Sequence, residues 1–547
     1  MKWEVLSKKE VKGKNEIIEV LLENRGLTKQ KDKEEFFKPT NPQEIKLKDF
    51  GISESEVKKA ILRIKKAIKS QEKVFVYGDY DADGVCATAI LWETLFSLGV
   101  NAMPYIPERF SEGYGLNVES IKTLKKENSD LGLIITVDHG IVADKKIDTA
   151  KDLGIDVIIT DHHEPGKVKP KPYALIHTTK ISGSGVSWVF AREISKVIPM
   201  VKPLDRNVLE LAALGTIADQ LPLISLNRSI VKYGLKEINF TKRTGILSLF
   251  KNSGIKMGNI GTYEIGFVVA PRINAMGRLG HAMESLRLLC TKDEKRAEEL
   301  SQLLTKTNFE RQRIVEEVII HARKNVTDES VIVLAHETYH EGIIGLVAGR
   351  LVEEFYRPVI ILSKNGEIAK ASARSISGFN MIENIRKLEE YILEGGGHPM
   401  AAGFSIKVEM IEKFKEEMNK IGNKLLTPET LERKMKIDLE IDFKFVDFNL
   451  FRKIDEFSPS GYGNPTPTFV TKEVRLTQAK IIGKDFKHLK LTIEKDGRSF
   501  NGIAFGMGEI YRDISPDKKV DIAYQIDEDS WNGGNTIQLK VKDISFN

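Results

Sequence analysis

At 547 residues the chain is too long for one hydrophobic core, and its length suggests about three to four domains. A composition of 41% hydrophobic and 29% charged residues is that of a globular protein and excludes disordered and fibrous classes. The net charge of +5, from 83 basic and 78 acidic residues, permits a nucleic-acid partner without demanding one. No apolar run approaches the roughly 20 residues of a membrane span, and the N-terminus MKWEVLSKKEVKGK lacks an apolar signal core. A cytoplasmic location is therefore expected. Cys86 and Cys290 lie in apolar helical contexts and read as small buried hydrophobes in a reducing compartment, not as a disulfide.

Residues 1–70 read as a helical segment, with helices around Asn15 to Leu22 and Glu54 to Ile68, and its role is not legible. Residues 71–235 alternate strands with helices. Val74 to Tyr77 is a strand ending in an acidic turn, Val85 to about Leu98 an amphipathic helix, and Asn101 to Ile106 strand-like. Leu133 to Val137 and Val157 to Thr160 follow as further strands, and after Tyr173 to His177 the chain becomes helical. Short apolar runs separated by helices predict a parallel sheet, in which ligands gather beyond the carboxyl ends of strands. Asp138 and Asp161 fall there, and Asp219 closes the apolar helix LAALGTIADQLPL.

Residues 236–327 form a helical connector dominated by an amphipathic helix from Lys292 to Asn325, with Ala297, Leu300, Leu304, Ile314 and Val318 on one face. A second α/β unit, residues 328–424, runs through VIVLAH, EGIIGLVAGRLVEEFY, PVIILS, ASARSISGFN and GGGHPMAAGFSI. Leu425 to Lys436 reads as a linker or an isolated helix opening the last domain, 425–547. There the period changes to two: Leu489, Leu491 and Ile493 alternate, as do Val520, Ile522, Tyr524 and Ile526, and Ile537, Leu539 and Val541 after the turn NGGN. This predicts a small antiparallel β domain, and a five-stranded oligonucleotide-binding barrel fits its length.

The stretch KVFVYGDYDADG carries the chemistry. Asp79, Asp81 and Asp83 crowd three like charges into five residues at a strand end, an arrangement that is costly unless a cation sits there. Oxygen ligands point to magnesium or manganese. Asp138 in TVDHG, Asp161, His162 and His163 in TDHH, and Asp219 add further donors. Such a set suits a two-metal hydrolytic site, with one carboxylate bridging and imidazole tuning one ion toward manganese. A single aspartate after a strand is more often a helix cap, and a lone His-His pair is usually surface. It is the combination that decides.

GDYDADG, TVDHG, TDHH and TIADQ, in this order, resemble the four motifs of the DHH phosphoesterases. PRINAMGR, HEGIIGLVAGRL, ASARS, GGGHPMAAGFSI, SPSGYGNPTP and GKDFKHLKL resemble the RecJ single-stranded-DNA exonucleases, over nearly the whole chain from about residue 70. The resemblance implies a parallel-sheet DHH catalytic domain, a long linking helix, a second α/β DHH-associated domain and a C-terminal antiparallel barrel of the oligonucleotide-binding (OB-like) type. It implies two divalent ions, Mn2+ first and Mg2+ second, held by Asp81, Asp83, Asp138, His162 and Asp219, with Asp138 as the bridge. His163 would ligate a metal or touch the scissile phosphate; Asp79 and Asp161 would bind directly or orient the ligands. The implied activity is 5′-to-3′ hydrolysis of single-stranded DNA to nucleotides in recombination and repair. Its partners would be single-stranded DNA, a helicase and a single-strand-binding protein, with no membrane. The chain ends with the barrel, so the extra C-terminal domain of larger relatives is expected to be absent.

Substrate contacts are expected from Arg109 in PERFSEGYG, from Tyr114 as a base-stacking residue, and from a second cradle. The cradle comprises Arg278, Ser372, Arg374, Gly395, Gly396, Gly397 and His398, and the resemblance assigns it the 5′ end. Two other readings keep the same residues. One is action on short RNA oligomers or small phosphate compounds, against which the barrel argues. The other is a non-catalytic DNA-binding subunit, against which the complete acid and histidine set argues.

Overall fold

The computed structural model describes residues 1–547 except 203, 205–206, 516–517, 530–535 and 547; the NGGN turn lies outside the described residues. The chain opens not with a helix but with strand β1 (Lys2–Ser7). Trp3 and Val5 pack on Ile437, Val470 and Ala523, and β1 pairs in parallel with the strand Lys434–Glu440. So brief an alternation amid Lys and Glu is too weak to read locally; the distant partner creates the strand. Helices α1 (Lys14–Asn24) and α2 (Gln30–Phe37) follow, and Ile17, Leu21 and Phe36 share a core with Leu439, Phe443 and Phe457.

Helix α3 (Glu54–Lys69), capped by Ser53, belongs to the next sheet. Its Arg63 hydrogen-bonds Asp156, Glu72 and the Gly132 carbonyl. That sheet consists of β2 (Lys73–Tyr77), β3 (Ala102–Tyr105), β4 (Leu131–Val137), β5 (Asp156–Asp161) and β6 (Ala174–His177), in the order β3-β2-β4-β5-β6. All its pairings are parallel. Tyr77 lies opposite Thr136, and Val137 opposite Thr160, so the acids that end these strands emerge along one edge. Helices α4 (Ala82–Ser97), α5 (Gly183–Val197) and α6 (Leu209–Ala218) pack on one another.

A π-helical turn (Glu264–Val269) runs directly into α7 (Ala270–Leu279), and the 32-residue α8 (Glu294–Asn325) follows, about 48 Å long. Ala297, Leu300 and Leu304 are buried in its first half; Val315, Val318 and Ile319 join the core of the second sheet with Ile332, Val347 and Ile361. The second sheet contains β7 (Ile332–His336), β8 (Val359–Asn365), β9 (Ile368–Arg374), β10 (Ile392–His398) and β11 (Ala401–Lys407), with α9 (Ile344–Phe355) after β7. Its order is β10-β11-β9-β8-β7. Only β7–β8 is parallel.

The last strands are β12 (Lys434–Glu440), β13 (Phe469–Ile482), β14 (His488–Lys495), β15 (Arg498–Ala504), β16 (Lys519–Glu528) and β17 (Ile537–Phe546). The run β13-β14-β15-β17-β16 closes through β13–β16. Its β15–β17 pair is parallel and the rest antiparallel. An odd number of strands cannot alternate direction all the way around a closed ring, so one parallel pair is unavoidable. Residues 1–46, 220–235 and 434–547 form one compact unit; 47–219 and 236–433 form the other. Among the described residues no helix is long and apolar enough to cross a membrane.

Candidate metal centre and substrate cradle

The acids are set by strand ends and helix starts. Asp81 caps α4, its Oδ1 accepting from the Gly84 amide at 2.9 Å. Between Asp81 and Asp83, the Ala82 amide donates to Asn274 Oδ1 of α7 at 2.8 Å. Asp83, 1% exposed, accepts from the Gly183 and Ser184 amides at the start of α5, at 2.7 and 3.1 Å. Asp138 leaves β4 in the left-handed region, φ +66°, a strained state for a non-glycine residue that persists where surroundings enforce it. Asp219 caps the carboxyl end of α6.

These elements converge. His162 Nε2 lies 3.1 Å from Asp138 Oδ1 and 3.6 Å from Asp219 Oδ2. Three sets of donors have their ligand atoms within 4.8 Å of one another: Asp138, His162 and His163; Asp83, His162 and Asp219; Asp79, Asp81 and Asp138. All seven expected metal ligands are thus brought together. Asp161 stands outside these sets. Its carboxylate accepts from the amides of Ile141, His162 and His163 and from His163 Nδ1, the last at 2.8 Å, so it orients both histidines.

The electrostatics fit a bound cation. Burial, then the neighbouring acids, push Asp138 and Asp79 well above the ordinary carboxylate range, Asp83 up to about 6 and Asp219 up to about 8. Asp79 Oδ1 and Asp138 Oδ1 are buried without a hydrogen bond; His162 is near Asp138 Oδ1 but not aligned to bond it. Acceptors left in this state suit divalent ions. Burial and the charge of His163 hold His162 down at about 4, leaving the neutral imidazole a metal needs. Burial also disfavours charge on His163, but the bond to Asp161 wins and raises it to about 9.

Two small residues make room for the cluster, and sequence reasoning missed both. A Cβ on Gly183 would lie 2.1 Å from Asp138 Oδ1, and one on Gly215 would lie 2.2 Å from Asp83 Oδ1. The run Ser182-Gly183-Ser184-Gly185 at a helix start is a local hint for Gly183 alone.

Facing the acids is a group of cations. Arg109 lies over the Tyr80 ring at 4.9 Å. Tyr80 meets Tyr114 edge-on, and the half-exposed Tyr114 meets His163. Arg278 donates to the Gly342 carbonyl at 3.0 Å, and burial together with Arg109, Arg311 and Arg374 lowers it to about 10. Arg374 reaches Ser372 Oγ at 3.4 Å. Across the sheet, Gly396, Gly403 and Ser372 form one row and His398, Ala401 and Arg374 another; Gly397 lies between Gly396 and His398 on exposed β10. On the barrel, Thr477, Lys480, Lys490, Asn501, Tyr511 and Arg512 help line a groove of about 1030 Å³.

The DHH family N-terminal domain matches residues 73–216, the DHHA1 domain residues 328–424 and the RecJ OB domain residues 437–543. The single-stranded-DNA-specific exonuclease RecJ of Bacillus subtilis is 37% identical over 504 residues, covering 89% of this chain and 63% of that relative. That of Escherichia coli is 30% identical over 531 residues, covering 90% of each. The crystal structure of Thermus thermophilus RecJ in complex with Mn2+ superimposes with a TM-score of 0.84 at 28% identity, over 100% of this chain and 80% of that one. Its Mg2+ complex gives a TM-score of 0.78 at 26% identity, over 100% of this chain and 78% of that one. With its two α/β domains and its barrel matched, the chain belongs to the RecJ family of single-stranded-DNA-specific exonucleases, within the DHH phosphoesterases.

Proposed function

We propose that this chain is a metal-dependent exonuclease that hydrolyses single-stranded DNA from the 5′ end to nucleotides, in recombination and repair. The observation that carries the reading is the convergence of seven donors, two with orphaned buried oxygens, beside a cradle of arginines. Asp81, Asp83, Asp138, His162 and Asp219 would hold two divalent ions, with Asp138 shared and Asp79 completing the acid wall. Bound ions of this kind lower the pKa of water and neutralise charge on a phosphoryl group.

The chain's own residues do the rest. His163, kept protonated by Asp161, offers a proton donor toward the scissile phosphate. Arg278, Ser372 and Arg374, with the open backbone of Gly396 and Gly397 and with His398, hold the terminal phosphate; the separation of this cradle from the acids then sets where the strand is cut. Arg109, stacked on Tyr80, bridges the two groups, and Tyr114 offers a ring to the first base. The barrel groove, with Lys480, Lys490, Arg512 and Tyr511, adds affinity for longer strands. A cytoplasmic setting, with a helicase and a single-strand-binding protein supplying substrate, follows from the same reading.

The test is digestion of single-stranded oligomers blocked at the 5′ or the 3′ end, in Mn2+, Mg2+ or chelator. Metal-dependent decay stopped only by the 5′ block is expected. Decay stopped only by the 3′ block would reverse the assigned polarity, and intact strands under every condition would overturn the assignment.

A further inference from the structure

The connector carries two features that neither the metal centre nor the cradle uses. Tyr263 and Phe267 stack with ring centroids 5.2 Å apart and an interplanar angle of 27°, yet they are 65% and 72% exposed. Single exposed apolar residues are ordinary. A parallel pair of rings held side by side in water is a ready surface for another flat ring. The segment that presents them packs on α6, with Gly266 against Ile217, two residues before Asp219. It continues into α7, whose Asn274 holds the Ala82 amide and whose Arg278 enters the cradle. The aromatic pair, a hydrogen bond to the acidic turn of the metal centre and an arginine of the cradle therefore follow one another along a single helical element.

The second feature is positive charge without a counter-charge. Arg272 on α7 is nine-tenths buried and donates to the Val268 carbonyl, next to Phe267, at 2.6 Å. Its Nε has no acceptor, nor has Arg311 Nε on α8, against which α7 packs. Among the described residues no carboxylate pairs with either. Burial and repulsion from Arg350 and Arg272 lower the pKa of Arg311 from its ordinary high value, and the guanidinium stays charged. Buried charges are normally paired, so this uncompensated field is poised for a polyanion. Rings for bases beside guanidinium groups for phosphates are the chemistry of single-strand binding.

We propose that this connector surface is a strand platform, on which Tyr263 and Phe267 stack with bases of single-stranded DNA beyond the scissile linkage while Arg272 and Arg311 supply the positive field that holds its phosphates. The assignment of the strand as the reaction's substrate rests on the exonuclease reading above. The platform is tolerant of sequence, because every base has a stacking face, and it acts only on strands long enough to pass the metal centre.

The test uses full-length protein with Tyr263→Ala and Phe267→Ala combined. Binding of a labelled 20-nucleotide strand is followed by anisotropy in chelator, and turnover of that strand and of a 5′-phosphorylated dinucleotide is followed in Mn2+. Affinity for the long strand should fall about 10- to 100-fold and its KM rise in step, with dinucleotide turnover unchanged. An unchanged affinity for the long strand overturns the platform. So does an equal loss on the dinucleotide, which marks a disturbed metal centre, or full affinity in the Tyr263→Leu, Phe267→Leu protein, which marks plain apolar contact, as for a protein partner. A wild-type protein that binds the long strand but cleaves nothing would sink the exonuclease reading while the binding comparison still decides the platform. Absence of wild-type binding sinks both.

Discussion

Without metal, the folded protein should lose stability as pH rises from 7 to 8.5. Asp219, held up at about 8 by burial and by Asp83 and Asp81, keeps its proton in the folded chain over much of this range, whereas the unfolded chain has already released it. The folded state therefore binds more protons, and stability must fall as the pH passes through the folded pKa. For Asp219 the loss is about 1 kcal/mol over the interval. Asp138 and Asp79 are displaced in the same direction, and so is His163, raised to about 9; each adds a loss of the same sign. His162 and His139, lowered to about 4, are already largely neutral in both states and contribute little. Thermal unfolding in chelator should show Tm falling by a few degrees from pH 7 to 8.5. Mn2+ should remove the fall, because ligands bind metal deprotonated and saturation at about 100 times Kd adds about 2.7 kcal/mol. Asp219→Asn should flatten the slope in chelator. A Tm that holds steady or climbs over this range without metal, or a slope that Asp219→Asn leaves intact, would refute the account of the acid cluster.

Gly183→Ala should cut metal-dependent turnover by about 100-fold or more, since a Cβ 2.1 Å from Asp138 Oδ1 must displace that carboxylate and misplacements of about 1 Å have this effect; titration with Mn2+ should show weakened binding. Asp161→Asn should cost about 10- to 100-fold in activity, as loss of a partner that orients metal ligands does. Its pH–rate profile should shift as His163 returns toward its ordinary range. Arg243 donates to Glu93 at 2.9 and 2.7 Å and to Glu210 at 2.6 Å in the interior. Arg243→Met should cost about 3–5 kcal/mol in urea unfolding because it strands two buried carboxylates, and adding Glu93→Gln and Glu210→Gln should restore part of it.

The site was far more legible in the sequence than its support. Asp79, Asp81, Asp83, Asp138, Asp161 and Asp219 each break an apolar run, so the conflict between burial and charge is visible within a few residues. Parallel register then delivers the strand-terminal acids to one edge without further instruction. Gly183 and Gly215 create no such conflict, and the Ser-Gly run around Gly183 does not say what it serves, because both leave space for carboxylates about 45 and 130 residues away in the chain. Asp161 and Asp79 look alike as strand-end acids. Only the placement of three amides and His163 Nδ1 separates an orienting group from one whose Oδ1 is left orphaned. Strand β1 and the parallel β15–β17 pair follow from distant pairing and ring closure, which no local window contains.

That division also explains how the fold tolerates its acid cluster before a metal arrives. Asp83 receives the first two amides of α5, placing the positive end of that helix against a carboxylate that burial and Asp81 would otherwise keep protonated. Asp81 caps α4 in the same way. Helix starts thus offset part of the repulsion, and protons retained on Asp219, Asp138 and Asp79 offset more. Asp138 Oδ1 and Asp79 Oδ1 are left with neither amide nor aligned imidazole. If those two oxygens are where metal displaces a proton, proton release on Mn2+ binding should persist in Asp83→Asn and drop in Asp138→Asn.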